Sequence, residues 1–374
     1  MRRILVGFIM NGKAGGIDKY LLNFLESICQ GEIHEEVRID FLTNEIEEEL
    51  RQYLTRYNSE LYAIASLKHP LKQFRQVCDV LGEKHYDMVY LNVSTAIDCV
   101  AAFAAKKAGI SERAIHSHSS GNDCESALQR FVYNIAHRVC KTFFYKAGTR
   151  FYGCSVKAGE WAFPKKIVSS EQFEVVYNAV DGNKFQYNPA VRTGVRQELE
   201  LGDERLFVIG HIGNFCYVKN YPFLIEVFEQ IYNRNKASRL LLVGTGVELE
   251  DIKKIVKEKK LEKVVQFLGW RSDTERLYQG MDLFLLPSRF EGLPVVGVEA
   301  QYTKLPCVFS DSITREAKIQ DHCYFLPLTD TPKKWAEFIL QHSTVDRHQI
   351  KLTEEASHYN LDTQKEQLRR IVCH

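Results

Sequence analysis

The sequence has no Cys-x-x-Cys pair among its ten cysteines and no Asp-x-Asp anywhere. Nor does it hold an apolar run of the roughly eighteen residues that a spanning helix needs. Cysteines scattered singly, with no Cys or His at ligand spacing, exclude a disulfide framework and a structural zinc site. They read as reduced thiols of a cytosolic protein. The apolar stretch in "MRRILVGFIM" is too short for a secretory h-region and has no small-residue cleavage site, so it is expected to be a buried first strand. Any membrane contact is expected to be peripheral. An excess of one charge is also missing: 49 Lys and Arg against 48 Asp and Glu leave +1. Global charge therefore gives no argument for nucleic acid as a partner.

What is present is alternation. Short runs apolar on both faces ("RILVGFIM", "VRIDFLT", "DMVYLNV", "RAIHSHS", then "RLFVIGHIG", "RLLLVG", "VVQFLG", "DLFLLPS", "LPCVFS") are separated by amphipathic helical stretches. That is the pattern of parallel strands with crossover helices. It restarts near 205 after the polar segment "NPAVRTGVRQELELGDE", and 374 residues exceed one core. The fold class expected is α/β, with two doubly wound Rossmann-like domains at 1–185 and 186–355. A C-terminal helix at about 356–374 should pack back on the first. Ligands are expected at the carboxyl ends of the strands, in the cleft between the domains.

Within "RFEGLPVVGVEA" Glu291 falls in a loop after the strand "DLFLLPS", and Glu299 falls inside the following helix. Pro294 suits that helix's first turn. The amides of Leu293, Val295 and Val296 would point out of the helix start, an anion site. At helical rise the two acids are about 12 Å apart, a span that suits a nucleoside diphosphate sugar. Two isolated acids would ordinarily be solvated or capping residues. A mid-helix Glu among valines and alanine is costly to bury without a partner, which favours a binding role.

Glu-x7-Glu in "EGLPVVGVEA" resembles the signature of the retaining glycosyltransferases of family 4, which have the GT-B fold. The resemblance extends over nearly the whole chain. In the second half it runs through "GHIGNFCYVKNYPFLIEVF", "LLLVGTGVELEDI" and "VVQFLGWRSDTERLY". In the first half it takes in "GGIDKYLLNF", "IHSHSS", "YGCSVKAGEWAF" and "VVYNAVDGNKF". It is strongest for bacterial capsule and exopolysaccharide enzymes. The resemblance implies transfer of a sugar from a nucleotide-diphosphate sugar, a UDP-sugar first, to a sugar acceptor, with no metal and no cofactor. It implies that Glu291 binds donor-sugar hydroxyls, that backbone around Gly292, Leu293, Pro294 and Val295 meets sugar and diphosphate, that Glu299 binds ribose hydroxyls, and that Lys219 stabilises the leaving diphosphate. Gly213 and Asn214 begin the same loop. The family usually has Arg at position 214, five residues before the Lys. Asn214 removes that charge, and the cations that could compensate are Lys13, Arg271 and Arg289. The base would lie near "GWRSD", with uridine and guanosine both open.

"NGKAGGIDKY" after the first strand is neither G-x-G-x-x-G nor a Walker A loop. Gly15 and Gly16 before a helix still let backbone approach a phosphate or sugar, although a plain tight turn fits them nearly as well. His116 and His118 end the fifth strand, and period two turns both to one face. The resemblance sets a His here beside the donor sugar, His118 first and His116 second. Lys13 belongs to the same side.

Residues 101–150 hold eight Lys and Arg against three Asp and Glu. In "RFVYNIAHRVCKTFFYKAGTRFYG" basic and aromatic residues alternate. Two readings stand: a face that lies on an anionic leaflet, where a polyprenyl-diphosphate-linked sugar would be the acceptor, or a solvated basic helix over an ordinary core. The alternatives to a transferase are a nucleotide-sugar binding protein without catalysis, suggested by Asn214, then another GT-B-like enzyme, then a nicotinamide dehydrogenase. The last is disfavoured because "LLLVGTGVEL" lacks the third fingerprint glycine.

Overall fold

The computed structural model describes residues 1–10, 15–29, 36–202, 205–342 and 345–373. Lys13 lies outside them. The chain forms two compact units. One comprises residues 1–122, 126–179 and 361–374, and the other comprises 123–125 and 180–360.

The first unit is built on seven strands: β1 (Arg2–Gly7), β2 (Val37–Thr43), β3 (Leu61–Ala63), β4 (Met88–Val93), β5 (Glu112–Ser117), β6 (Arg150–Gly153) and β7 (Phe173–Val175). They pair in the order β3-β2-β1-β4-β5-β6-β7, every neighbour parallel. Period two divides β1 between two cores. Leu5 packs with Leu42, Val89 and Ile115 on one face, and Ile4 and Val6 pack with Tyr20, Phe24 and Phe41 on the other. The C-terminal helix Leu361–Cys373 adds Leu368, Ile371 and Val372 to that second core.

The second unit has β8 (Phe207–Ile212), β9 (Ser238–Val243), β10 (Val265–Gly269), β11 (Leu283–Leu286), β12 (Cys307–Ser310) and β13 (Cys323–Leu326). Their order is β10-β9-β8-β11-β12-β13, again all parallel. Both sheets therefore run outward in opposite directions from a pair, β1/β4 and β8/β11. That reversal leaves a crevice at the carboxyl ends of the pair. The doubly wound expectation holds for each unit.

The division falls at 179/180 and 360/361. Local contacts explain why it is not after 185. Val180 N–H donates to Tyr359 O at 2.8 Å, Lys184 pairs with Glu275 at 3.3 Å, and the Phe185 ring packs on Tyr278. These partners all belong to the second unit. Likewise the short 3-10 turn Glu354–Tyr359 stays with the second unit, and only the helix from Leu361 joins the first.

Candidate functional site

In the second unit the chain leaves β8 through Gly213 and Asn214, makes a 3-10 turn at Tyr217–Lys219, and enters the helix Tyr221–Arg234. Asn220 joins turn and helix in the left-handed region, φ 57°. Its side chain holds the next strand's exit, donating to Pro287 O at 3.2 Å. The loop after β11 is tied back at Arg289, whose N–H donates to Val218 O at 2.7 Å and whose guanidinium lies 4.6 Å over the Tyr217 ring. This lacing brings Lys219 Nζ to 2.6 Å from Glu291 Oε1. Ser288 Oγ donates to the same oxygen at 2.8 Å. Both charged side chains are largely buried, 14% and 13% exposed. A lysine and a glutamate therefore face each other at the carboxyl ends of the two strands where the sheet reverses. Arg289 stands in the same turn. Of the described cations expected to offset Asn214, Arg271 is held by Asp273 and Glu198, and Arg289 stands two residues before Glu291.

Gly213 is a steric requirement of this arrangement. A Cβ there would stand 3.0 Å from Lys219 Cε and 3.4 Å from His211 Nε2. Gly244, at φ 136°, comes so close that its Cβ would meet Gly213 O at 2.1 Å. Asn214 itself is exposed.

The helix that follows Glu291 spans Val295–Tyr302, with Pro294 at its N-cap position. Leu293 and Gly292 are buried ahead of it. One expected amide is not available: Val295 N–H donates to Leu293 O at 3.0 Å in a tight turn. Glu299 is 5% exposed and takes a hydrogen bond from Tyr278 OH at 3.2 Å. Burial beside that carboxylate holds the Tyr278 hydroxyl well above its ordinary range. Glu299 is thus buried mid-helix, and the protein itself supplies a phenol partner that the sequence did not disclose.

Arg271 departs from expectation. Its guanidinium is held by Asp273 at 2.7 Å and Glu198 at 3.0 Å, and Arg276 bridges the same two acids. The Arg271 side chain holds the Asp273 carboxyl down at about 2. A cation so committed is a poor replacement for the charge missing at 214.

His211, not among the residues expected at the site, stands one residue before the end of β8 with no exposure. Its Nδ1 lies 2.7 Å from Leu285 O, so Nδ1 must carry the hydrogen. Nε2 is left a bare, buried acceptor beside Gly213 and Lys219. Burial pushes the imidazole down to about 3. Period two in "GHIG" was its signal: His211 shares a strand face with Gly213.

In the first unit, Gly15 (φ 88°) and Gly16 open the helix Gly15–Cys29 and are exposed. Among the described residues, leaving out its own helix and chain neighbours, the nearest atom to a Cβ at Gly16 is Asn178 Nδ2 at 3.9 Å. His116 and His118 share one face as expected, ring centroids 4.0 Å apart, but they differ in reach. His116 is fully buried, its Nδ1 2.7 Å from Tyr90 OH, which is 2.6 Å from Tyr20 OH. It supports the interior. His118, just past the strand end, is partly exposed and has Nε2 2.8 Å from Asn92 Oδ1.

Among the described residues no group of three His, Cys, Asp or Glu side chains is placed to hold a metal, and no helix is long and apolar enough to cross a membrane. A cavity of about 550 Å³ is lined by Arg192, Phe207, Asp282 and Arg347 at the amino ends of β8 and β11, the opposite end from Glu291. Its charges serve the fold: Arg192 and Arg196 bind Asp282, and Arg347 donates to the carbonyls of Tyr278, Gln279 and Met281.

Residues 206–344 match the family described as glycosyl transferases group 1. A Bacillus subtilis (strain 168) protein named as a glycosyltransferase, EpsF, is 27% identical over 342 residues, 89% of this chain and 86% of its own length. The UDP-Gal:alpha-D-GlcNAc-diphosphoundecaprenol alpha-1,3-galactosyltransferase of Escherichia coli is 29% identical over 250 residues, 66% of this chain and 63% of its own. Among solved structures, Anabaena Alr3699/HepE in complex with UDP and glucose aligns over 100% of both chains at TM-score 0.74 and 18% identity. WaaG, a glycosyltransferase involved in lipopolysaccharide biosynthesis, aligns over 100% of both chains at TM-score 0.70 and 14% identity. Residues 206–344 are thus similar to the glycosyl transferases group 1, and the two parallel-sheet Rossmann-like units are GT-B-like in fold.

Proposed function

We propose that the protein transfers a sugar from a nucleoside-diphosphate sugar, a UDP-sugar, to a sugar acceptor with retention of anomeric configuration, in the assembly of a bacterial capsule, exopolysaccharide or other surface glycan. The observation that carries this reading is the buried Lys219–Glu291 pair, with Glu299 buried one helix further along. Lys219 lies where negative charge grows on the leaving diphosphate, and a fixed cation there lowers the barrier. When the diphosphate draws Lys219 away, Glu291 is released to accept hydrogen bonds from donor-sugar hydroxyls. Ser288 still holds it in place. Glu299, oriented by Tyr278, receives the ribose hydroxyls. Arg289 offsets the charge missing at Asn214.

Catalysis then rests on positioning and leaving-group stabilisation. The bond from the anomeric carbon to the phosphate oxygen breaks, and the bond to the acceptor oxygen forms on the same face. The acceptor proton passes to the leaving phosphate oxygen, so no metal and no protein nucleophile is required.

The acceptor is a polyprenyl-diphosphate-linked sugar at the inner face of the cytoplasmic membrane. Two observations support this. The Escherichia coli relative is named for a diphosphoundecaprenol-linked acceptor. The helix Ala127–Phe144 carries Arg130, Arg138 and Lys141 and no acid, and it presents Leu128, Phe131, Val132, Ile135 and Val139 outward, each between 48% and 73% exposed. That stripe, at helical spacing, is the reverse of a helix over an ordinary core. It suits an anionic leaflet.

The deciding experiment is thermal shift with a panel of nucleoside diphosphates, with Glu299→Ala as control. A ligand that binds only the native state must stabilise it. The reading expects a rise with uridine diphosphate that the variant loses, and no rise with any nucleotide would refute it. The second reading, a nucleotide-sugar binding protein without catalysis, rests on Asn214 alone. It predicts the same shift with no sugar transfer.

A further inference from the structure

The first unit holds an arrangement that the reaction outlined above leaves unexplained. Asn92, one residue before the end of β4, is buried, 5% exposed. Its Nδ2 donates to Gly7 O at 3.1 Å. An amide nitrogen is the donor end and a carbonyl can only accept, so this contact fixes which way the side chain points. The Oδ1 end is thereby turned to His118, 2.8 Å from Nε2. Since Oδ1 can only accept, Nε2 must carry the ring hydrogen. Nδ1 is then a bare lone pair, and it has no hydrogen-bond partner among the described residues. Burial also keeps the ring neutral by pushing its pKa down to about 3. The ring is clamped on its flanks by Tyr20 at 5.0 Å and His116 at 4.0 Å between centroids.

Gly7, Asn92 and His118 stand at or just past the carboxyl ends of β1, β4 and β5, and β1/β4 is the point where this sheet reverses. A buried acceptor without a partner at such a crevice asks for a hydroxyl hydrogen. We propose that Asn92 is a positioning residue of the transfer reaction: by reading the Gly7 carbonyl with its amide nitrogen, it fixes both the ring orientation and the tautomer of His118, so that Nδ1 accepts a hydrogen from a sugar hydroxyl. The backbone of β1 thus sets the hydrogen-bonding sense of a side chain two strands away. The inference rests on the transferase reading, because it is the sugar that completes Nδ1.

Two variants and two readouts test it. Nitrogen-15 spectra of the full chain labelled at histidine, assigned with His118→Asn, report which ring nitrogen of His118 carries the hydrogen whether or not the protein turns over. Protonated Nε2 with a slowly exchanging proton is expected, and a proton on Nδ1 overturns the proposal outright. Asn92→Leu should abolish that protected proton and lower kcat by about ten-fold or more, the scale of a buried donor left without a partner. The midpoint shift with uridine diphosphate should stay as in the wild type. Asn92→Asp keeps an acceptor for Nε2 and should hold the Nε2 proton, recovering part of the lost kcat. Unchanged kcat in Asn92→Leu, or equal losses in both variants, overturns the positioning role. Absence of transfer by the wild-type protein with every donor would instead refute the transferase reading and the role built on it, while the spectra would still decide the tautomer.

Discussion

Lys219 and Glu291 are 72 positions apart in the chain and 2.6 Å apart in space. Neither is informative alone: a lysine near a helix start and a glutamate in a loop are commonly solvated. Their mutual burial raises what each is worth, because a charge left without its partner there is costly. Lys219→Ala should lower kcat by about 10²–10³, the range for removing one preorganised electrostatic contact, as read by donor turnover. It should also weaken the nucleotide-induced thermal shift. Gly213→Ala should act on the same pair without touching a charge. Its Cβ would press on Lys219 Cε at 3.0 Å, so kcat should fall while global stability changes little; an unaltered kcat would show that Lys219 can move aside. At this scale the sequence disclosed residue types and spacings. It did not disclose that Arg271 is occupied by Asp273 and Glu198, or that the Val295 amide is committed to Leu293. Hydrogen-bond partners depend on how loops close, and period and propensity do not encode that closure.

At the scale of elements, the helix Ala127–Phe144 separates pattern from placement. Leu128, Phe131, Val132, Ile135 and Val139 follow helical spacing, and a periodic stripe predicts a buried face. In the structure the buried side chains of this helix are His137 and Phe144 instead. His137 stacks on Trp161 at 3.8 Å and takes a hydrogen bond from Ala96 N–H at 3.1 Å. The stripe is left outside. Full burial of each such side chain is worth about 1.5–3 kcal/mol. Replacing Leu128, Phe131 and Ile135 together by Ser should therefore abolish flotation with vesicles containing anionic lipid and leave the unfolding midpoint within a degree or two. A large fall in midpoint would mean that the stripe packs on protein. Charge reversal at Arg130 and Arg138 should weaken flotation more at low salt than at high salt, as screening requires.

For the whole molecule, the acid limit of stability follows from buried histidines. His116, His118 and His137 lie in the first unit and His211 in the second, and burial depresses all four. A depressed base contributes stability above its unfolded pKa of about 6.5, which is lost as pH falls towards the folded value. For His137 that value is about 4, and for His118 and His211 about 3. Each adds a slope of up to about 1.4 kcal/mol per pH unit in that window. The first unit, with three of the four, should therefore lose protection faster than the second between pH 6.5 and 4, read by hydrogen exchange resolved along the chain. Equal losses in both units would contradict this.

The sequence by itself determined the alternation of strands and helices, the presence of two doubly wound units, and the positions of Glu291, Glu299 and Lys219. The alternation and the places of Glu291 and Glu299 are written in periodicity and local spacing along one strand, loop and helix, whereas Lys219 is singled out only by the resemblance to the family 4 signature. Tertiary structure alone decided the rest. It paired Lys219 with Glu291, buried His116 while leaving His118 at the crevice, turned the stripe of 127–144 outward, and set Asn92 between Gly7 and His118. The physical reason is the same in each case. A side chain's hydrogen-bond partner or exposure depends on residues tens of positions away, which come together only when parallel strands are brought side by side by their crossovers.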